Sequence, residues 1–164
     1  MERGAVLSDN GLYRYELTRR WDDGQSVLWV MLNPSTADAD IDDPTIRRCV
    51  NFTKSWGYGG IKVVNLYAFR ATDPGHLRDA FEAGIDPVGP DNAETLRGAL
   101  AAYTTAFVVA AWGTKADPHR VAGLATMAIR ARRQLRALGI TKDGHPRHPL
   151  YVKGDAELIV WRES

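Results

Sequence analysis

The segment Asn33-Pro34-Ser35 places polar side chains directly after the apolar run Val27–Leu32. Such a run is typical of a buried strand, and ligand crevices of open α/β sheets form at the carboxyl ends of strands. Pro34 favours an extended Asn33 and removes one backbone donor from the turn. Asn33 is therefore a candidate for ligand contact together with Pro34 and Ser35. A simple turn cap is the alternative interpretation, and it is the more common role of an isolated Asn-Pro.

A second polar cluster lies at the end of the apolar run Ile61–Leu66, where Asn65 is followed five residues later by Arg70. A carboxamide pairs with the edge of a nucleobase, and a guanidinium binds phosphate. Tyr67 and Phe69 lie between them and are candidates for stacking on a base. Alternatively, both rings belong to the core and Arg70 forms a surface ion pair. The sequence leaves these two interpretations open.

The loop Lys142–Pro149 contains two His-Pro pairs among basic residues. Imidazole acts as a general acid or donates a hydrogen bond to developing negative charge. His145 and His148 are therefore both candidates for such a role, although an isolated loop histidine is more often simply exposed. The chain has no Walker motif and no G-x-G-x-x-G sequence, so neither phosphate-binding motif explains this loop. Three residues of the loop are candidates for substrate binding: Lys142, His145 and Arg147.

The loop between Thr36 and Asp43 is rich in aspartate, and clustered carboxylates are ligands for hard cations. Its spacing differs from that of an EF-hand, which has Gly at the sixth position and Glu at the twelfth. We therefore favour a solvated loop in which Asp43 caps a helix, and we expect neither a metal nor a cofactor. The aspartates are Asp38, Asp40, Asp42 and Asp43.

Helices and strands alternate along the chain. Asp43-Pro44 and Asp117-Pro118 are typical helix starts, an N-cap followed by an N1 proline, and Asp91 with Glu94 has the spacing of a capping box. The alternation predicts right-handed crossovers and a three-layer α/β/α sandwich with a central, mainly parallel sheet of about four or five strands. Strands are predicted at residues 13–17, 27–32, 61–66, 106–111 and 135–138, and residues 158–161 form either a last strand or a short packed segment.

The predicted strands end in polar clusters that should share one edge of this sheet. The clusters are Asn33, residues 65–70, residues 112–115 and residues 142–148. Because parallel strands have their carboxyl ends at the same edge, we expect these clusters to converge in one site.

Composition is that of an ordinary globular protein: 164 residues, 45% hydrophobic, 25% charged, with a formal net charge of +1. We expect a single domain over residues 1–164. The net charge gives no sign of bulk nucleic-acid binding, although a local basic groove remains open. One cysteine, Cys49, leaves no disulfide within the chain. No signal-peptide pattern and no long apolar run is seen, and we expect a cytoplasmic protein.

Four motifs resemble those of a widespread bacterial and phage family of conserved domains of unknown function. They are residues 30–35 (VMLNPS), 43–45 (DPT), 65–70 (NLYAFR) and the segment from Lys142-Asp143-Gly144 to Arg147-His148-Pro149. The likeness covers residues 12–161 approximately and is specific for that family. It implies no activity.

A more distant resemblance is to the uracil-DNA glycosylase superfamily. Asn33-Pro34 is similar to the first motif of its mismatch-specific branch, whose asparagine positions the attacking water. Asn65 and Arg70 are similar to the uracil-recognising asparagine and the later arginine of its thermophilic branch, and His148-Pro149 to the late motif whose histidine donates to a uracil carbonyl. The resemblance implies a uracil-DNA-glycosylase-like fold and these roles for the matching residues.

The leading hypothesis is a glycosylase-like protein that recognises or processes a nucleobase in a nucleic acid or nucleotide, as an N-glycosidic bond hydrolase. Asn33 would hold water or the sugar edge, Asn65 would read the base, and His148 would stabilise the leaving base. A non-catalytic nucleotide-binding or nucleic-acid-binding module is an alternative. A metal-dependent phosphoesterase using the aspartate loop is another.

Overall fold

The computed structural model describes residues 1–164 as one seven-stranded sheet with four α-helices and a short 3₁₀ helix at Pro149–Tyr151. No helix has the length and apolar character needed to cross a membrane. The strands are β1 (Glu2–Leu7), β2 (Arg14–Arg20), β3 (Ser26–Met31), β4 (Gly60–Asn65), β5 (Thr105–Ala110), β6 (Leu135–Ala137) and β7 (Ile159–Trp161). The helices are α1 (Pro44–Ser55), α2 (Gly75–Glu82), α3 (Asn92–Ala101) and α4 (Pro118–Arg130).

The sheet has the strand order β1-β2-β4-β3-β5-β6-β7. Its four central strands, β4, β3, β5 and β6, run parallel, whereas β1, β2 and β7 pair antiparallel with their neighbours. The predicted α/β class is therefore confirmed. The sheet is mixed rather than mainly parallel, and it has seven strands rather than four or five. The two edge strands were missed or left open because β1 and β7 are largely exposed and lack a strong apolar pattern.

Two large hydrophobic clusters account for most of the core, and alternate residues of the central strands divide between them. A third cluster is small and consists of Tyr13, Tyr15 and Ala68. Leu28 and Val30 of β3 belong to a cluster that includes residues of α3 and α4. Val27, Trp29 and Met31 belong to the other cluster, which includes buried residues of α1. Because side chains alternate across a strand, helices are packed against both faces of the sheet.

Two of the three predicted helix starts have the expected cap. The Asp43 carboxylate accepts a hydrogen bond from the Ile46 N–H, and the Asp117 carboxylate accepts one from the His119 N–H. The capping-box prediction for α3 is wrong, because Asp91 makes no side-chain cap hydrogen bond. Helix α2 was not predicted from the sequence, and its N-cap residue is Pro74, which offers no capping side chain.

Register brings the ends of the central strands together. Met31 of β3 lies opposite Asn65 of β4, and Val30 lies opposite Ala110 of β5. The residues that follow these strands therefore emerge at one edge of the sheet.

Candidate ligand-binding site

A cavity of about 720 Å³ opens at this edge, where β3, β4 and β5 end. Its walls include residues from all four polar clusters that the sequence placed here, together with residues 43–46 at the start of α1. Five of the predicted site residues line it: Asn33, Ser35, Asn65, Arg147 and His148. Six do not: Pro34, Tyr67, Phe69, Arg70, Lys142 and His145.

Asn65 presents an unpaired carboxamide to the cavity. The residue is 1% exposed, and neither its Oδ1 nor its Nδ2 has a hydrogen-bond partner in the protein. A buried polar group left without a partner costs about 1–3 kcal/mol. The amide therefore keeps both its NH₂ donor group and its oxygen acceptor for a ligand.

The backbone behind Asn65 is held by side chains from α3 and α4. Asn92 Nδ2 donates to the carbonyls of Asn65 and Leu66, at 2.9 and 3.2 Å. Arg120 Nη2 donates to the Leu66 carbonyl at 2.5 Å, and its guanidinium lies over the ring of Tyr67. These contacts hold the backbone that carries the Asn65 side chain.

Two further buried donors in the cavity wall were not predicted from the sequence as site residues. Trp112 is 1% exposed and its Nε1–H has no acceptor; Arg14 is 2% exposed and its Nε has no acceptor. Four of the six buried side-chain atoms without partners thus belong to Asn65, Trp112 and Arg14, which all line this cavity. The signal for Trp112 was its position directly after a buried strand.

Arg14 lies in the strand predicted over residues 13–17, where the alternation of Tyr13, Tyr15 and Leu17 with polar residues is typical of a half-buried strand with Arg14 on its solvent face. In the structure, however, its side chain is buried and its Nη1 donates to the Ala37 carbonyl at 2.8 Å. It forms no salt bridge. Burial lowers the pKa of Arg14 to about 10, and the Asp43 carboxylate opposes that shift. At neutral pH the cavity wall therefore carries a buried positive charge.

Asn33 uses one end of its side chain to hold the loop around it. Its Nδ2 donates to the carbonyls of Pro34 at 3.0 Å and Ala71 at 2.8 Å. The oxygen is the end that remains for a ligand or a water. Pro34 is buried and does not line the cavity; its carbonyl also accepts a hydrogen bond from the Ala71 N–H.

His148 lines the cavity as a neutral imidazole. Its Nδ1 accepts a hydrogen bond from the Leu150 N–H at 3.2 Å, so in the neutral ring the proton is on Nε2. Burial lowers the pKa of His148, and the Asp43 carboxylate opposes that shift. His148 therefore offers an N–H donor without a positive charge.

Two hydrogen-bonded contacts position the segment that carries His148. Gly113 donates from its N–H to the Pro146 carbonyl at 3.0 Å, with a φ of 75° that favours glycine. Arg48 of α1 donates to the carbonyls of Pro149 and Val152. The segment is thus tied both to the end of β5 and to α1.

Tyr67 and Phe69 are half-buried and pack against the core instead of lining the cavity. The Tyr67 hydroxyl accepts from the Asp117 N–H at 3.1 Å. Phe69 packs against both the α3–α4 cluster and Tyr13, with an edge-on ring contact of 6.2 Å between centroids. The structure therefore favours the core interpretation of both rings.

The predicted cations divide between the cavity and the surface. Arg147 lines the cavity, as does Lys115, which the sequence placed in the neighbouring cluster. Lys142 is exposed, and Arg70 and His145 are half-buried outside the lining. Lys115 and Arg147 are the exposed cations of the cavity.

The aspartates of residues 36–43 have separate structural roles. Asp38 Oδ1 accepts from two backbone N–H groups of its own loop, and Asp42 pairs with Arg19 at 2.7 Å. Both oxygens of Asp43 accept backbone N–H groups, those of Ile46 and Ala37. The chain places no group of three or more His, Cys, Asp or Glu side chains where they could share a metal ion.

Comparison with known proteins identifies a family but no relative of established activity. No curated protein and no solved structure matches the chain. Residues 14–150 match the family described as "Protein of unknown function (DUF1643)". This match covers most of the chain, from β2 into the 3₁₀ helix, and includes every cavity residue named above, so the chain belongs to that family.

Proposed function

We propose that this protein is a glycosylase-like enzyme that recognises a nucleobase of a nucleic acid or nucleotide in the cavity. The observation that carries the proposal is the Asn65 amide, which is 1% exposed and unpaired at both atoms. A base edge with adjacent donor and acceptor groups satisfies both atoms at once. The Trp112 Nε1–H supplies another donor for a base oxygen. The cavity volume of about 720 Å³ lies within the roughly 300–1,000 Å³ of typical ligand pockets.

The proposed reaction is hydrolysis of the N-glycosidic bond. The bond between sugar C1′ and the base nitrogen breaks, and its electron pair leaves with the base. The His148 Nε2–H donates a hydrogen bond to a base oxygen and stabilises the developing negative charge. A water held by Asn33 Oδ1 adds to C1′ and releases a proton, which the departing base takes up. The products are the free base and the sugar hydroxyl.

The proposed fold relationship is a three-layer, uracil-DNA-glycosylase-like arrangement. The order of the parallel strands, β4-β3-β5-β6, and the helices packed on both faces support it. The antiparallel strands β1, β2 and β7 would then be additions at the sheet edges.

Release of free base from nucleosides, nucleotides and oligonucleotides carrying single modified bases tests the proposal. We expect the wild-type protein to release free base, detected by chromatography, from at least one substrate. The rate of base release by His148→Gln should be lower by about 100-fold. His119→Gln is the matched control, because His119 is exposed on α4 and does not line the cavity. Equal rates for both histidine variants, in folded protein, would contradict the mechanism.

A non-catalytic nucleobase-binding module is the second candidate, and the hydrogen bonding of Asp43 favours it. Asp43 is the carboxylate among the cavity residues, and both its oxygens accept backbone N–H groups. The amide of Asn33 is not basic, so neither side chain is a free general base. Binding of a nucleotide that depends on Asn65, with no base released from any substrate, would select this candidate.

A further inference from the structure

Arg14 is a buried cation that the proposed base recognition does not require. It is 2% exposed, forms no salt bridge, and uses Nη1 for a single carbonyl, that of Ala37. Its Nε has no acceptor. A buried charge is strongly unfavourable unless it is paired and hydrogen-bonded. The free protein therefore contains a charged donor group without an acceptor.

The surroundings of Arg14 do not supply that acceptor. Asp43 is the carboxylate among the residues that line the cavity, and its two oxygens already accept the N–H groups of Ile46 and Ala37. Arg70 and Arg19 add positive charge near Arg14, while Asp38, which is nearby, is held by its own loop.

The other charges of the cavity also favour an anion. Lys115 and Arg147 line it, so its side chains include three cations and one carboxylate. Residues 44–46 at the start of α1 form part of the same wall, and the first turn of a helix carries a partial positive charge. A neutral ligand would leave this charge uncompensated.

We propose that the buried wall of the cavity binds an oxyanion of the ligand, a phosphate or a carboxylate group, and that Arg14 is the residue that binds it. The guanidinium has a fork of N–H donors that matches the oxygens of either group. If Arg14 binds an oxyanion and the Asn65 amide binds a nucleobase, the ligand is an anionic molecule that contains a nucleobase. That combined identity rests on the proposed function, whereas the oxyanion site itself does not.

Calorimetric titration of the full chain tests the site. The probes are inorganic phosphate, uracil, orotate (a pyrimidine that carries a carboxylate), the four common ribonucleosides and their 5′-monophosphates. We expect at least one anionic probe to bind about tenfold or more tightly than its neutral counterpart. Arg14→Met should reduce that ratio to about twofold or less. Arg97→Met, on the exposed face of α3, is the control and should leave the ratio unchanged.

The panel distinguishes the two sources of the oxyanion. Preference for monophosphates over nucleosides identifies phosphate, and preference for orotate over uracil identifies a carboxylate on the base. If Arg14→Met does not fold, Arg14→Gln replaces it, because glutamine is neutral and can still donate to the Ala37 carbonyl.

The remaining outcomes separate this inference from the proposed function. Binding of inorganic phosphate alone, lost in the Arg14 variants, supports the oxyanion site and argues against a nucleobase ligand. Neutral bases or nucleosides that bind as tightly as their anionic counterparts overturn the oxyanion site but not the proposed function. A preference for anions that survives in the Arg14 variants also overturns it, since Lys115 and Arg147 would then hold the anion. Absence of binding by every probe overturns both.

Discussion

Arg19 and Arg14 lie on the same strand, β2, and both are buried, yet their surroundings differ completely. Arg19 Nε pairs with Asp42 at 2.7 Å, and its Nη1 and Nη2 donate to backbone carbonyls, including that of Asp38. Arg14 donates to one carbonyl and has no ion pair. One arginine organises the aspartate loop, and the other faces the cavity with its donors only partly used.

The same contrast recurs for two other residue types. Asn92 and Trp29 donate to protein acceptors, whereas Asn65 and Trp112 have none. The fold thus satisfies the donors of a buried arginine, asparagine and tryptophan elsewhere, although Asn92 Oδ1 and Arg120 Nε, which lie outside the cavity lining, also lack partners. Because four of the six unpaired atoms belong to residues that line one cavity, we attribute their missing partners to groups of a ligand.

The arginine pair should show the largest difference in stability. Arg19→Met breaks a buried ion pair and should lower the free energy of unfolding by about 3 kcal/mol or more. Arg14→Met leaves the buried Ala37 carbonyl without its donor but also removes an unpaired buried charge, and because these effects oppose each other the net loss should be about 1 kcal/mol or less. Urea unfolding at neutral pH measures both. Equal losses would show that Arg14 is as well compensated as Arg19.

The asparagine pair should differ by somewhat less. Asn92→Leu leaves the carbonyls of Asn65 and Leu66 without this donor and should cost about 2 kcal/mol. Asn65→Leu replaces two unpaired atoms with apolar groups of similar size and removes the cost of burying them, so it should not lower stability. Urea midpoints with unchanged m-values report the effect. A large loss in Asn65→Leu would mean that this amide already has a structural role.

These pairs also show what could be predicted from the sequence. Asn33, Asn65 and His148 were found because parallel strands end at one edge, a rule that depends only on the order of elements. The starts of α1 and α4 were found because an aspartate followed by proline has a local meaning. The features that were predictable are those set by neighbouring residues or by chain order.

Arg14, Tyr67 and Phe69 could not be assigned in this way because their environments depend on distant segments. Alternation places an arginine between two tyrosines on the solvent face, but residue Ala37 of the aspartate loop covers Arg14 and accepts its hydrogen bond. The alternating aromatics after β4 are equally suited to stacking on a base or packing in a core. Tyr67 contacts Asp117 and Phe69 contacts Tyr13, and these contacts with residues distant in sequence favour packing against the core.

The tryptophan pair should show a difference of about 1 kcal/mol. Both Trp29→Phe and Trp112→Phe remove part of a buried ring, but only Trp29 also loses a hydrogen bond, from its Nε1 to the buried Thr53 hydroxyl at 3.1 Å. One such bond is worth about 1 kcal/mol, so Trp29→Phe should melt roughly 2–4 °C below Trp112→Phe. Scanning calorimetry measures this. Trp112→Phe melting at the lower temperature would contradict the comparison.

The smallest effect on stability is expected at His148. Its ring contains both a hydrogen-bonded nitrogen, Nδ1, and a nitrogen that is free for a ligand, Nε2. Because burial lowers the pKa of His148 below its ordinary value of 6.5, the unfolded chain binds more protons than the folded chain near that pH. The contribution of the neutral His148 to the free energy of unfolding is therefore fully present above about pH 6.5 and is lost as the pH falls towards the pKa of the folded state.

The test compares urea unfolding of the wild-type protein and His148→Gln at pH 7.5 and pH 5.0. The wild type should lose more stability on acidification than the variant, because glutamine does not titrate and can still accept from the Leu150 N–H. His119→Gln, exposed on α4, should keep the wild-type pH dependence. A wild type that loses less stability than His148→Gln would have the wrong sign for a buried neutral imidazole, and His148 would then be better described as a cation paired with Asp43. In that case the cavity would hold a second positive charge besides Arg14. The Nε2–H of His148 could then no longer act as the uncharged donor that the proposed reaction uses.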